Sequence, residues 1–274
     1  MRPRDLDRNE LLDQLADVAQ RAAAAAVRLI HDERPADLGI TSKSSSTDLV
    51  TEMDRASERT IRATIAAVRP DDVVIGEEDG EVIPEGGGSG VRWWVDPIDG
   101  TTNYVYDHPG YNVSIAAEVD GEMAVGVVAD PTHARTYSAV KGRGAFCDDR
   151  PLRLGPAAPL PACLVATGFG YDPDRRGRQG RVAAELLPRV RDIRRMGAAA
   201  LDLCSVAAGR VDAYYEVGLS MWDLAAGALI ASEAGARTGT IDGGPLHPRA
   251  VLVAHPERFD ELSRLLVELG APEV

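Results

Sequence analysis

Apolar residues recur at three- and four-residue steps across Leu11, Leu15, Val18, Ala22, Ala25 and Leu29, the spacing that lines one face of an α-helix. Asp7 and Glu10 stand where a capping box starts such a helix. This long amphipathic helix is expected to be scaffold or an oligomer contact. A polar loop over residues 41–47 leads into Asp48-Leu49-Val50-Thr51-Glu52-Met53-Asp54, after which Ile61, Ile65 and Val68 outline a second helix that stops at Arg69-Pro70. Val73-Val74-Ile75 then reads as a short buried strand ending at Gly76-Glu77-Glu78-Asp79, and the Gly-rich stretch 81–90 as a flexible surface loop. Two apolar runs, 113–119 and 123–128, flank Asp120-Gly121, a strong hairpin signal.

The pattern changes at 148–161, where four prolines fall in a short span. A boundary there divides the chain into an N-terminal subdomain, 1–152, expected to carry most of the chemistry, and a C-terminal one, 153–274. Beyond it the pattern predicts a strand at 164–167, a helix near 180–187, a small-residue helix over 199–208 and a strand at 213–215. A helix over 222–234, a strand at 251–254 and a terminal helix over 256–269 complete the chain. No internal repeat is visible. Strand and helix signals alternate early and antiparallel strands intrude later, which predicts a layered mixed α/β (α+β) fold.

The 274 residues suffice to bury a substantial core. A net charge of −13 and a pI near 4.9 argue against nonspecific nucleic-acid binding and against an anionic membrane surface. A small anionic substrate stays open, because bound cations reverse the local field. No apolar stretch approaches a membrane span, and the N-terminus, with Arg2, Arg4, Asp5, Asp7 and Arg8, lacks a signal peptide's apolar middle. The expected location is the cytoplasm. Cys147, Cys163 and Cys204, an odd number without CxxC spacing, predict neither a disulfide framework nor a thiolate zinc site. Scattered histidines without an HxxxH pair speak against a histidine-ligated metal.

One segment carries specific chemistry: Trp93-Trp94-Val95-Asp96-Pro97-Ile98-Asp99-Gly100-Thr101-Thr102-Asn103. Asp96 and Asp99, held about 4 Å apart at an intermediate effective dielectric, would repel by roughly 4 kcal/mol, a penalty that a divalent cation removes. Oxygen-only ligands suit hard Mg²⁺, which keeps several waters and shares its other positions with phosphate oxygens. Pro97 fixes one backbone angle and has no N–H, which pre-shapes the turn and makes the Ile98 carbonyl a candidate ligand. Gly100 permits close approach, and the amides of Gly100, Thr101 and Thr102 face a phosphate if a helix starts there. Asp-x-x-Asp alone is an everyday solvated turn, but the complete run is far more specific.

Asp54, the Glu77-Glu78-Asp79 cluster, Glu216 and Asp223 are candidates to join this pair. Singly, each has a structural alternative. Asp54 can cap the second helix, the cluster can be a solvated turn, and Asp223 can cap an Ala-rich helix in accord with the dipole. Three of these positions fall at a strand end or a helix start, where ligand-binding loops gather in sheet folds. Spacing alone leaves their convergence open.

Over nearly its whole length the chain resembles the inositol monophosphatase family of Mg²⁺-dependent, lithium-sensitive sugar phosphatases. The resemblance runs through Lys43-Ser44-Ser45, Asp48-Leu49-Val50-Thr51, Gly76-Glu77-Glu78 and the central segment from Trp94 to Asn103. It continues through Gly197-Ala198-Ala199-Ala200-Leu201-Asp202-Leu203, Asp212-Ala213-Tyr214-Tyr215-Glu216, Trp222-Asp223-Leu224-Ala225-Ala226-Gly227-Ala228 and Glu233-Ala234-Gly235-Ala236. It implies a layered αβαβα sandwich. It also implies that Glu77, Asp96 and the Ile98 carbonyl hold one Mg²⁺ and that Asp96, Asp99 and Asp223 hold a second, with a third, weaker ion near Glu77. Thr101, with Glu77 or Asp54, would orient the attacking water. Phosphate would rest against the Gly100 and Thr101 amides beside Asp99. Gly197, Ala198, Ala199, Glu216 and Asp223 would meet substrate hydroxyls, with Lys43 and Glu78 in support.

The implied reaction is in-line hydrolysis of a phosphate monoester at two metal ions, without a covalent phosphoenzyme, so Cys204 and Ser205 need no nucleophilic role. Within the family, fructose-1,6-bisphosphatases, histidinol-phosphate phosphatases and 3′-phosphoadenosine-phosphate phosphatases share the metal core. Glu216 fits a hydroxyl-rich substrate, because a carboxylate accepts from two neighbouring hydroxyls, which favours inositol monophosphate. The stretch Arg175-Arg176-Gly177-Arg178 suits a second phosphate or, more simply, a solvated loop. A homodimer is the family expectation, with Arg194 and Arg195 in a segment able to support it. An interaction role alongside transcription machinery is the non-enzymatic alternative, for which the acidic surface suits a basic protein partner better than RNA.

Overall fold

The computed structural model describes residues 7–43, 45–84 and 88–274. Arg2, Arg4, Asp5 and Ser44, and the centre of the Gly-rich stretch, lie outside the described residues. Helix α1 (Arg8–Val27) opens on the expected capping box: the Asp7 carboxylate accepts from the Asn9 and Glu10 amides while Glu10 accepts from the Asp7 amide. Its buried stripe runs through Leu12, Leu15, Ala19, Ala22 and Ala26, rotated from the predicted line so that Leu11 and Leu29 are only half-buried. The loop expected at 41–47 starts instead as a hairpin strand, β1 (Thr41–Ser42), pairing with β2 (Leu49–Val50). A second capping box, Thr51 with Asp54, starts α2 (Glu52–Ala66).

Strands β3 (Val73–Gly76), β4 (Gly80–Val82) and β5 (Val91–Asp99) come next, followed by the short helix α3 (Thr101–Val105). The first residues of the stretch read as a loop from residue 81 thus belong to β4. β6 (Asn112–Val119) and β7 (Glu122–Asp130) form the expected hairpin, turned through Asp120 and Gly121 with φ of 53° and 84°. Three strands that the apolar runs do not announce extend the meander: β8 (Arg135–Val140), β9 (Ala145–Cys147) and β10 (Arg150–Leu152). They are partly exposed, so no continuous apolar run marks them.

The C-terminal half supplies β11 (Leu164–Thr167), α4 (Pro173–Leu186), β12 (Asp192–Arg194), α5 (Ala199–Ala207) and β13 (Ala213–Val217). It ends with α6 (Met221–Glu233), β14 (Arg237–Thr240), β15 (Ala250–Ala254) and α7 (Pro256–Glu268). Helix α4 starts well before the predicted residue 180, because Asp172 caps it and Pro173 takes its first turn, both in a polar stretch that carries no apolar periodicity.

The layers stack as helix, sheet, helix, sheet, helix, the αβαβα sandwich. Helices α1 and α2 cover one face of an eight-stranded sheet ordered β10-β9-β8-β7-β6-β5-β3-β4. Helices α5 and α6 fill the middle, against a five-stranded sheet ordered β12-β11-β13-β15-β14, and α4 and α7 cover its far face. Strand alternation sorts the side chains. Val113 and Ile115 of β6 face the outer helices while Ala116 faces the middle layer. In β13, Tyr214 faces the middle layer and Tyr215 the far one.

Helix α6 reaches the large sheet closely at Gly126 of β7. A Cβ there would stand 2.8 Å from the Ala226 carbonyl oxygen and 3.0 Å from its Cα. Helix backbone cannot swing aside as a flexible side chain does. Gly126→Ala should therefore destabilise the protein by about 1–3 kcal/mol, the cost of overpacking a tight core, read as a lower urea midpoint at unchanged slope.

Candidate functional site

Most pairs in the large sheet are antiparallel, but β3 and β5 run parallel with Gly76 level with Val95. Their C-terminal ends therefore emerge together, and the Glu77 amide donates to the Val95 carbonyl at 3.2 Å. Glu77 is thereby set beside Asp96. In a regular strand, residues three apart face opposite sides. The pairing of β5 with β6 slips between Asp96, opposite Ser114, and Asp99, opposite Asn112, and this bulge adds the residue that turns both acids into one cavity.

Helix α2 braces the motif from behind. The Ser57 hydroxyl donates to the Pro97 carbonyl at 3.0 Å, and the Thr101 hydroxyl lies 3.0 Å from Asp54 Oδ1 and 3.1 Å from the Ile98 carbonyl oxygen. Asp54 Oδ2 accepts from the Thr51 amide and hydroxyl. Fully buried Glu58 accepts from the Glu78 and Asp79 amides at 2.8 and 3.0 Å and pairs with Arg62, which holds the turn that carries Glu77. A Cβ at Gly76 would collide with that carboxylate.

The middle helices close the site. The amides of Ala199 and Ala200, in the first turn of α5, donate to Asp99, as does the Asn112 side chain at 2.8 Å. Asp223 sits in the first turn of α6, where it accepts from the Ser220 amide at 2.7 Å, and the Ser114 hydroxyl pins this turn to β6 through the Trp222 carbonyl. Gly100 turns the chain from β5 into α3 at φ 90°, where a Cβ would stand 2.8 Å from the Gly110 carbonyl oxygen.

Burial, and then the charges of Glu77, Asp99 and Asp223, hold the Asp96 carboxyl well above the usual carboxylate range. Burial, opposed by the Ser220 amide, also lifts Asp223, with Asp99 and Glu77 adding to the rise. Asp99 is pushed up by burial to about 6, against the pull of Asn112 and the Ala200 amide. The charges of Glu77, Asp99 and Asp223 thus bear together on Asp96, an arrangement of acids that a shared proton or a cation relieves. Burial works against the Lys43 ammonium, yet Glu77, 2.8 Å away, and Glu78 hold it above its ordinary range. Burial lifts Glu78 to about 7 in spite of Lys43.

The oxygen-only donor set fits a hard divalent ion such as Mg²⁺. Among the described residues no three His, Cys, Asp or Glu side chains already form a complete metal cage. Glu77 is engaged with Lys43 at 2.8 Å, and one oxygen of Asp223 accepts from the Ser220 amide.

The cavity in front of these acids encloses about 490 Å³. Lys43, Glu77, Asp96, Ile98, Asp99, Gly100, Thr101 and Asp223 line it, whereas Asp54 stands behind Thr101, Glu78 stands behind Lys43, and Asp79 and Thr102 do not reach it. Gly197, Ala198 and Ala199 line it as well, and so does Glu216, to which Tyr214 donates at 2.6 Å. Burial pushes Glu216 up to about 7, with Tyr214 and Arg195 opposing. Sequence reasoning missed Ser57, Glu58 and Asn112. A Glu58–Arg62 pair one helical turn apart resembles an ordinary surface pair, and the placement of Asn112 across from Asp99 depends on strand register. The basic stretch is not one unit: Arg176 donates to the Gly170 and Tyr171 carbonyls, Arg178 is exposed, and Arg175 lines the cavity.

A model of the inositol monophosphatase family matches residues 11–269. The inositol-1-monophosphatase SuhB of Mycobacterium tuberculosis is 44% identical over 95% of this chain and 96% of its own length. The Nus factor SuhB of Pasteurella multocida is 43% identical over 85% of this chain and 87% of its own. In three dimensions, the extragenic suppressor protein suhB of Bartonella henselae superimposes with a TM-score of 0.86 at 33% identity, covering 92% of this chain and 98% of that one. No helix among the described residues is long and apolar enough to cross a membrane.

Because Glu216 is raised in the folded chain, it binds a proton more tightly there than when unfolded. Its neutral form contributes stability that is complete below its ordinary value of 4.5 and lost as pH rises through about 7. Glu216→Gln keeps a neutral acceptor for Tyr214. Thermal melts should show the variant more stable than the parent by several degrees at pH 8, with the difference closing towards pH 4.5.

Proposed function

The chain belongs to the inositol monophosphatase family, and from that premise we propose that it is a Mg²⁺-dependent phosphate monoester hydrolase whose preferred substrate is an inositol monophosphate, released as myo-inositol and phosphate. The observation that carries this reading is the crowding of Glu77, Asp96, Asp99 and Asp223 in the same cavity as Glu216. Glu77, Asp96 and the Ile98 carbonyl would hold one Mg²⁺, and Asp96, Asp99 and Asp223 a second, with room for a weaker third near Glu77. Bound there, Mg²⁺ supplies the acidity that makes water a nucleophile near neutral pH and neutralises the leaving oxygen.

The chain's own groups do the positioning. The Thr101 hydroxyl, backed by Asp54, with Glu77 facing the same cavity, orients the attacking water. The Gly100 and Thr101 amides seat the phosphate. Glu216 and Asp223 accept from substrate hydroxyls, the backbone of Gly197 to Ala199 borders the ring, and Lys43 with Glu78 steadies Glu77. Cys204 and Ser205 are buried and do not line the cavity, in keeping with direct attack by water. We place the protein in the cytoplasm as a homodimer of two-subdomain chains divided near residue 152.

The kinship to a Nus factor supports an added role as an interaction protein beside transcription machinery. Affinity capture that recovers no stable partner, together with good turnover, leaves the enzyme reading alone.

Asp96→Asn should lower kcat/KM by roughly a thousandfold at saturating Mg²⁺ while the fold is retained by circular dichroism, since several kcal/mol of charge stabilisation is lost. Near-parental turnover in the folded variant contradicts the site. In a panel with fructose 1,6-bisphosphate, histidinol phosphate and 3′-phosphoadenosine 5′-phosphate, inositol 1-phosphate should lead by about tenfold or more in kcat/KM, and lithium should inhibit. Any other leader reassigns the substrate but not the chemistry.

A further inference from the structure

Arg175 is a charged side chain that the reading above leaves without a task. It occupies the first turn of α4, where its amide donates to the Asp172 cap at 2.7 Å, so the side chain leaves from an anchored point. Its stem passes over Gly170, where a Cβ would stand 3.2 Å from Arg175 Cδ. Its guanidinium lies over Gly218, whose added Cβ would fall 2.1–2.4 Å from Nη2, Nη1 and Cζ. Gly218 also has a φ of +90°, so a side chain is doubly unwelcome beneath the guanidinium. Two glycines thus leave the space that Arg175 fills.

Among the described residues the guanidinium has neither a hydrogen-bond nor an ion-pair partner, yet it lines the substrate cavity and its charge acts on Glu216. Both groups line the same cavity as Gly100 and Thr101. A guanidinium only donates and a carboxylate only accepts. Facing one cavity, they match two adjacent hydroxyls, one accepting from Arg175 while its neighbour donates to Glu216.

Resting on the phosphatase reading, we propose that Arg175 contacts the leaving group and sets specificity for phosphate monoesters of polyols carrying vicinal hydroxyls away from the ester. Phosphate esters without such hydroxyls gain nothing from it. The fixed fork matters as much as the charge, because a lysine at this position has three donors on a mobile stem and no planar face to rest on Gly218.

The test compares kcat/KM for inositol 1-phosphate with that for p-nitrophenyl phosphate, at saturating Mg²⁺, in the parent, Arg175→Ala, Arg175→Lys and Gly218→Ala. The ratio of the two values should fall roughly ten- to hundredfold in Arg175→Ala, the worth of a charged hydrogen bond to a hydroxyl. Arg175→Lys should restore only part of it. Gly218→Ala, which displaces the guanidinium without removing it, should also lower the ratio. A ratio unchanged in folded Arg175→Ala, with thermal melts to certify folding, overturns the proposal. So does a loss confined to fructose 1,6-bisphosphate in the same assay, which would assign Arg175 to a second anionic group. Failure of the parent to hydrolyse either ester strikes the phosphatase reading instead.

Discussion

Mutual repulsion among buried carboxylates at the end of β5 is the constraint around which this molecule is arranged. Burial and the charges of Glu77, Asp99 and Asp223 together oppose the ionisation of Asp96. A chain that only needed stability would place apolar residues there. Instead the surroundings are spent on holding the acids in place. The N-terminus of α5 aims at Asp99, the Ser220 amide holds Asp223 in the first turn of α6, Ser57 of α2 and Thr101 of α3 grip the Pro97 and Ile98 carbonyls, and buried Glu58 fixes the turn before β4. Each contact orients an oxygen that would otherwise relax away from its neighbours.

This arrangement explains the layering. The large sheet supplies Glu77, Asp96 and Asp99, and the middle helices supply Asp223 and the amides that face Asp99. The site can therefore exist only where α5 and α6 meet the end of that sheet. Close approach of α6 at Gly126 is part of the same construction, because α6 carries Asp223 in its first turn. On the far side, the smaller sheet brings Glu216 and the first turn of α4 brings Arg175, so on the proposed reading the leaving group would meet different elements from those that would seat phosphate.

Much of this was legible in the chain. The heptad-like stripe of α1, its capping box, the Asp120-Gly121 hairpin and the helix following Trp222 follow from local rules of spacing and turn chemistry. The acids were visible as residue types in suggestive places. Their convergence was not, because it depends on the parallel register that levels Gly76 with Val95 and on the bulge between Asp96 and Asp99. Neither has a local signature, since register is settled by pairing between segments distant in sequence. The roles of Glu58 and Arg175 also depend on packing. Glu58 belongs to an exposed-looking helical pattern that only the packing turns inward beneath a turn, and Arg175 stands in a basic stretch that reads most simply as a solvated loop until the packing lays it across Gly218.

The central claim is that a divalent cation takes the place of the protons that otherwise relieve this acid cluster. Its most direct test is calorimetric titration of the metal-free protein with Mg²⁺ at pH 6, repeated in buffers of different ionisation enthalpy. Because the acids are raised by burial and mutual charge, binding should release protons, and the observed heat should change with the buffer. Binding heat that is the same in every buffer, or no binding at millimolar Mg²⁺, would contradict the account.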